Sequence, residues 1–365
     1  MARRVSALGA LSLACAVAPV LAQVPATPPP AAPAPSQAPE PAETKEPPFR
    51  ISGLVIGDYY YVAASHRDEL VDRNGFWLRR VYFTYDHTLS LAFSLRLRLE
   101  MNSKGDFTST GLNTPYMKDA FLRWSFGAHA LAFGMAGTPQ IEWVEAFQGY
   151  RSIEKTPFDI YRWDSSRDLG LALSGKVGAG QRTSYALQLG NGSGTGSEVD
   201  RSKSVRGQLA HRFASGLALE AYADWQDRPD GRDVSTLEAF AGWQEARWRV
   251  SLQVGQQRRR AAAADGGDLE LEFLSAFGAW QLTRRVALVG RLDRNFDPVP
   301  GGETIDYMPF AETARSLFGY AGVDVTLAKT VHLIPNLEWT TYDQAPDGTT
   351  PAPDLVPRVT LFFTW

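Results

Sequence analysis

Cysteine is all but missing from this 365-residue chain: Cys15 is the only one, and it lies in an N-terminal apolar stretch. The remainder can form neither a disulfide nor a thiolate metal site. An excess of charge is missing too, because 37 Lys and Arg face 40 Asp and Glu, and the basic residues are dispersed. That balance gives no electrostatic footing for nucleic acid. The five histidines, His66, His87, His129, His211 and His332, are scattered without metal-ligand spacing or an adjacent nucleophile motif. No catalytic residue, metal or cofactor is therefore assigned. The stretch Gly190-Asn-Gly-Ser-Gly-Thr-Gly196 lacks the Lys-Ser/Thr of a phosphate loop and reads as a flexible connection. Long hydrophobic runs are also absent after the N-terminal stretch, which excludes transmembrane helices of ~18 or more apolar residues.

At the N-terminus, Arg3 and Arg4 precede an apolar stretch from Val5 to Leu21, and Val20-Leu21-Ala22 offers a small-residue cleavage site. Residues 1–22 read as a secretory signal peptide. A membrane anchor would need ~20 apolar residues, and Pro19 interrupts this stretch. A lipoprotein signal at Leu13-Ala14-Cys15 is weakened by Ser12, where leucine is usual. Residues 23–48 are Pro, Ala and small polar or charged residues that cannot bury a core, so an extended, disordered linker is expected. The domain would span 49–365.

That domain holds most of 10 Trp, 13 Tyr, 19 Phe and 32 Gly, yet the chain's mean hydropathy is below zero. Its apolarity is hidden in alternation. Leu91, Phe93, Leu95, Leu97, Leu99 and Met101 alternate with Ala92, Ser94, Arg96, Arg98, Glu100 and Asn102, giving a strand with one apolar and one charged face. Leu217, Leu219, Ala221, Ala223 and Trp225 likewise oppose Glu220, Tyr222 and Asp224, and Trp248, Val250, Leu252 and Val254 oppose Arg249, Ser251 and Gln253. The pattern predicts strands over 49–63, 76–88, 89–103, 115–126, 128–136, 167–177, 181–191, 202–213, 216–227, 235–243, 246–258, 268–281, 284–296, 315–327, 329–342 and 356–365. Short turns such as 213–216 alternate with long polar loops such as 102–114, and aromatics gather at strand ends. An all-β fold follows: a transmembrane antiparallel β-barrel of about sixteen strands, with short periplasmic turns and long extracellular loops. The last segment, Val359 to Trp365, alternates and stops on an aromatic, as do bacterial outer-membrane strands read by barrel-assembly machinery.

Phe76-Trp-Leu-Arg-Arg-Val-Tyr-Phe-Thr-Tyr85, Lys118-Asp-Ala-Phe-Leu-Arg-Trp124, Leu131-Ala-Phe-Gly-Met-Ala-Gly-Thr-Pro139 and Arg167-Asp-Leu-Gly-Leu-Ala-Leu-Ser-Gly175 occur in that order. Their sequence resembles the phosphate-selective porin O and P family. The resemblance implies a sixteen-stranded, trimeric outer-membrane channel in which arginines and lysines guide anions. It covers the first third of the barrel by motif and the rest by pattern.

If the polar faces line water, Arg80, Arg96, Arg98 and Arg123 form a basic patch on one wall of the pore. Glu220, Asp224, Glu238, Glu270 and Glu272 form an acidic wall opposite, and the two signs set a transverse field. Cross-strand pairing is the other reading of the same charges. The longest loop, 137–166, carries Glu142, Glu145, Arg151, Lys155 and Arg162, while Trp143, Phe147 and Tyr150 at helical spacing predict a short helix packed on the inner wall. Such a loop would form the constriction; a loop capping the outside or meeting another subunit is the alternative. The expected function is passive diffusion of small hydrophilic solutes and ions through the outer membrane, with anions or phosphate favoured. The expected partners are outer-membrane lipid, the solutes and two further copies of the chain. A structural or adhesive barrel, or a barrel hydrolase, is the alternative function.

Overall fold

Period-two alternation is realised from Phe49 onward as sixteen antiparallel strands. The computed structural model describes residues 48–110, 113–263 and 266–365. The expected signal peptide over 1–22, with Cys15, and all but the last residue of the 23–48 linker lie outside them. The strands are β1 Phe49–Tyr61, β2 Asn74–Thr88, β3 Phe93–Met101, β4 Tyr116–Phe126, β5 His129–Gly137, β6 Arg167–Val177, β7 Thr183–Gly190 and β8 Ser204–Arg212. They continue as β9 Leu217–Gln226, β10 Val234–Gln244, β11 Trp248–Arg259, β12 Leu269–Gln281, β13 Val286–Asn295, β14 Ser316–Ala328, β15 Val331–Tyr342 and β16 Asp354–Thr364. Each pairs with its neighbours in sequence, and β1 pairs with β16 from Leu54↔Thr364 to Tyr60↔Arg358, which closes the barrel and leaves no free edge.

The faces are inverted relative to a water-soluble sandwich. Leu219, Trp225, Leu237, Leu252 and Val254 are exposed, while Tyr222, Asp224, Glu238 and Gln253 between them are buried. Apolar outside and polar inside is the arrangement that hydrocarbon requires of a spanning barrel. Among the described residues, no helix is long and apolar enough to cross a membrane.

All turns at one end are short and all long connections lie at the other. At the long-loop end, loop 138–166 contains two helices, α1 Pro139–Gln148 and α2 Pro157–Ile160. Pro139 sits at the first turn of α1, where its missing N–H costs nothing, and Gly149 ends the helix with φ +68°, a conformation that favours glycine. The expected helix through Trp143 and Phe147 is present, with Tyr150 two residues past its end. Thr138 Oγ1 donates to the Ser165 carbonyl at 2.8 Å, so the two ends of the loop are stapled together.

The loop lies inside the barrel. Ile153, Phe158, Ile160, Tyr161 and Trp163 are buried against inward residues Phe273, Phe277, Phe318 and Tyr320, and loop 296–315 adds Val299, Ile305, Met308 and Phe310. Phe147 packs on Phe240, and Gly242 leaves the space for it, since a Cβ there would sit 2.4 Å from the Phe147 ring. Each such side chain contributes about 1.5–3 kcal/mol on burial, enough together to hold the loop as structure.

Candidate functional site

Two irregularities in the ladder build the charged side of the site. Between β1 and β2 the register slips at Ile56/Gly57, because Ile56 pairs with Arg80 and Gly57 with Leu78. Arg79 is the surplus residue, so Arg79 and Arg80 both turn inward and both are buried. Between β3 and β4, Arg98 pairs with Asp119 and Leu99 with Met117, which leaves Lys118 as a second surplus residue, buried beside Asp119. The two bulges concentrate charge on one wall beyond what strict alternation permits.

Those charges pair in a chain across β2, β3, β4 and β6. Arg80 Nε lies 2.8 Å from Glu100 Oε1, and Lys118 Nζ lies 2.8 Å from Glu100 Oε2. Arg98 reaches Asp119 at 3.1 Å, and Arg167 contacts the same carboxylate. Arg96 pairs lower down with Asp86 at 2.7 Å. Facing them, α1 and the turn after it present Glu142, Glu145 and Arg151, with Glu142 3.4 Å from Arg167 and Arg151 against Glu145 and, at 2.6 Å, Asp159. Burial pushes the Glu145 carboxyl above its ordinary value although Arg151 opposes this. Burial acts the same way on Asp159, but Arg151 and Lys155 outweigh it and hold that carboxyl well below its usual range.

Between this wall and the loop is a cavity of about 450 Å³ lined by Arg80, Arg98, Lys118, Arg167, Glu142 and Arg151, among others. A second cavity of about 450 Å³ lies on the same side, bounded by Arg123, Trp143 and Lys176, and Glu142 borders both. Both lie toward β2–β7, since the loop occupies the other side of the barrel.

The structure brings together only part of the predicted set. Arg80 and Arg98 line the first cavity and Arg123 the second, while Arg96 is absorbed in its pair with Asp86. From the loop, Glu142, Glu145 and Arg151 face the first cavity. Lys155 gives its carbonyl to Arg291 at 2.6 Å, and Arg162 turns away to donate to Thr304 Oγ1 at 2.7 Å.

The acidic wall is where the expectation needs correcting. Glu220, Asp224 and Glu238 do point inward, but they are buried, with the loop packed over them: Gln140 of α1 reaches Glu238 at 3.5 Å, and Gln208 bridges Glu220 at 2.9 Å to the Pro139 carbonyl at 3.2 Å. Glu270 and Glu272 are on the opposite face, exposed outside the barrel, where they pair in register with Arg258 and Gln256. Their neighbours Leu271 and Phe273 point inward because Phe158 and Trp163 of the loop need apolar partners there. The unlike charges across the first cavity therefore come from the loop, not from the far wall.

Lys118 and Arg167 were missed as site residues although both stand in recognisable motifs. Also missed was the set that locks the loop. Arg79 donates to the carbonyls of Ser152, at 2.5 Å, and of Ile153. Arg206 pairs with Asp164 at 2.6 Å and Asp168 at 2.7 Å, and Tyr161 donates to Asp293 at 2.8 Å. No cluster of three or more His, Cys, Asp or Glu among the described residues is arranged to hold a metal.

No protein-family model matches this sequence, and no curated protein does. Solved structures match its fold. The anion-selective porin from Comamonas acidovorans is 13% identical with a TM-score of 0.62, over 87% of this chain and 99% of that one. Salmonella typhi OmpF, in complex with daunomycin, is 9% identical with a TM-score of 0.62, over 87% and 97%. The trimer form of in-vitro folded OmpT, an outer-membrane protein of Vibrio cholerae, is 9% identical with a TM-score of 0.58, over 87% and 99%. The chain has the fold of bacterial outer-membrane porins. That likeness is to porins in general and does not single out the phosphate-selective O and P family.

Proposed function

We propose that this protein is a passive outer-membrane porin that admits small hydrophilic solutes and ions and favours anions. The observation that carries the reading is the inverted barrel with two charge-lined cavities between one wall and an inward-folded loop. Sixteen strands enclose more space than side chains alone fill, so a loop is needed to set the bore. Short turns then lie in the periplasm and long loops outside the cell. Arg80, Arg98, Lys118, Arg151 and Arg167 line the first cavity already paired with carboxylates, so the preference rests on Arg123 and Lys176 of the second cavity, whose uncompensated field in a confined space raises the local concentration of anions. A trimeric assembly is proposed from the fold likeness, since one matched structure is a trimer form. Phosphate as a preferred solute rests on the motif resemblance alone.

Single-channel recording of the purified protein in a planar bilayer under a KCl gradient tests this. We expect discrete conductance steps and a reversal potential of the sign set by anion preference. Added phosphate that reduces the current would support a phosphate-selective channel, and its failure to do so would leave a general porin. Absence of conductance would favour a structural or adhesive barrel.

A further inference from the structure

The second cavity, the lower one because Gly127 and Ala128 of the short β4–β5 turn line it, differs from the first in one respect. In the first cavity each cation has a carboxylate partner: Arg80 and Lys118 have Glu100, Arg98 and Arg167 have Asp119, and Arg151 has Glu145. In the lower cavity Arg123 of β4 and Lys176 of β6 are exposed to the lumen, and neither has a carboxylate within 4.0 Å among the described residues. Arg212 of β8 is unpaired in the same sense and holds its guanidinium 5.1 Å from the Trp143 ring. Trp143 is half-buried against Phe147 and Phe240, and it still borders the cavity. Ser125, Ser174 and Ser184 add hydroxyls to the lining, and Glu142, which lies 3.4 Å from Arg167, borders the cavity as well.

Unpaired cations in a confined, water-filled space attract anions, and Arg and Lys bind a carboxylate through charge-assisted hydrogen bonds. An indole that lines the same space offers area to an apolar body and prefers an offset or edge contact with another ring. Chloride uses only the cations. An aromatic carboxylate uses both features, and the cavity is within the size range of small-molecule sites, about 300–1,000 Å³. We propose that this vestibule binds small aromatic carboxylates, with Arg123 and Lys176 holding the carboxylate and Trp143, steadied by Arg212, holding the ring. The proposal deepens the channel reading and rests on it for its consequence: a bound solute waits between the periplasm and the first cavity. Such a site must stay weak, because conduction requires release as well as entry.

The test has two arms. In equilibrium dialysis of the full, detergent-folded chain at low salt, benzoate should bind saturably and more tightly than acetate or phosphate. Replacing both cations, Arg123→Gln with Lys176→Gln, should weaken benzoate by about tenfold or more, the loss expected for a hydrogen bond to a charged group. Trp143→Leu should bring benzoate down to the affinity of acetate and leave acetate unchanged; Lys176→Arg should retain benzoate binding and guards against a folding artefact. Benzoate binding that is no tighter than acetate or phosphate, or that survives the double replacement, overturns the proposal. In the bilayer arm, benzoate should reduce the current at lower concentration from the periplasmic side than from the other. Benzoate binding without conductance would sink the channel reading and leave the site, whereas conductance without saturable benzoate binding would do the reverse.

Discussion

On the wall from β2 to β6, most inward cations border open cavities, Arg79 excepted because it holds the loop; on the wall from β8 to β14, inward charges of the same kinds lie under the loop. Arg80, Arg98 and Lys118 belong to the first group and line a cavity. Arg206 and Arg291 belong to the second, and both are almost fully enclosed, bound to Asp164, Asp168 and Asp293 and to the Lys155 carbonyl. Both walls obey one alternation, so facing inward does not make a residue line open space. What decides is whether the loop lies over it. One wall borders cavities and the other is a mounting for the loop.

The comparison can be broken hardest at the mounting. Arg206→Ala strands the buried carboxylates of Asp164 and Asp168, which should cost about 3–5 kcal/mol, the range for breaking a buried pair. Thermal unfolding should drop accordingly, and in bilayers the freed loop should give larger and noisier openings. Unchanged openings would mean that the loop does not set the bore. A milder strain on the same side is Gly242→Val, whose side chain would drive into the Phe147 ring. We expect about 1–3 kcal/mol of destabilisation from such overpacking, read by denaturant unfolding, with a smaller rise in conductance.

The wall that borders the cavities is tested by charge. Lys118→Glu places a carboxylate beside Glu100 in the first cavity and should move the reversal potential toward cation preference. Glu238→Gln, beneath the loop, should leave it where it was, and so should the paired change Glu270→Gln and Glu272→Gln on the outer face. An equal shift from all three would erase the distinction between the walls.

The smallest effect is expected at the rim, where His66 of loop 62–73 bonds Asp354 at 2.8 Å and Glu303 of loop 296–315 at 3.1 Å. Burial works to lower the imidazole pKa, but the bonds and charges of the two carboxylates outweigh it and raise the value above 6.5. A raised folded-state value means that the clasp stabilises fully below about pH 6.5 and loses its contribution as pH rises through the folded value. Hydrogen exchange in loop 62–73 should quicken on that alkaline side. His66→Gln should abolish the pH step at a cost of about 1 kcal/mol, near the net worth of a hydrogen bond.

The fold was legible because alternation is imposed by the solvents on both faces: the segment expected at 356–365 is Asp354–Thr364, and that expected at 167–177 is Arg167–Val177. The site was legible only where alternation is undisturbed. Arg80 and Arg98 could be placed from period two, whereas Arg79 and Lys118 could not, because a bulge is invisible to a counting rule. Glu270 and Glu272 failed for another reason. Near the long-loop end the interior includes an apolar core made by loops, so Leu271 and Phe273 turn inward and the usual reading of greasy outside reverses. The helix in loop 138–166 was legible from the spacing of its aromatics, but its anchors were not, since they come from strands far away in sequence.

Each bulge is also a place where the chain carries one residue more than its partner strand requires. Where the ladder is regular, a one-residue change in strand length would turn every side chain beyond it to the other face. At Arg79 and Lys118 that surplus is already absorbed. Deleting either would restore a plain ladder in which Leu78 and Arg80, or Met117 and Asp119, keep the faces they have now. The only inward group lost would be a single cation. The charge of this wall is thus adjustable in steps of chain length as well as of composition, and the sheet around it need not be redrawn.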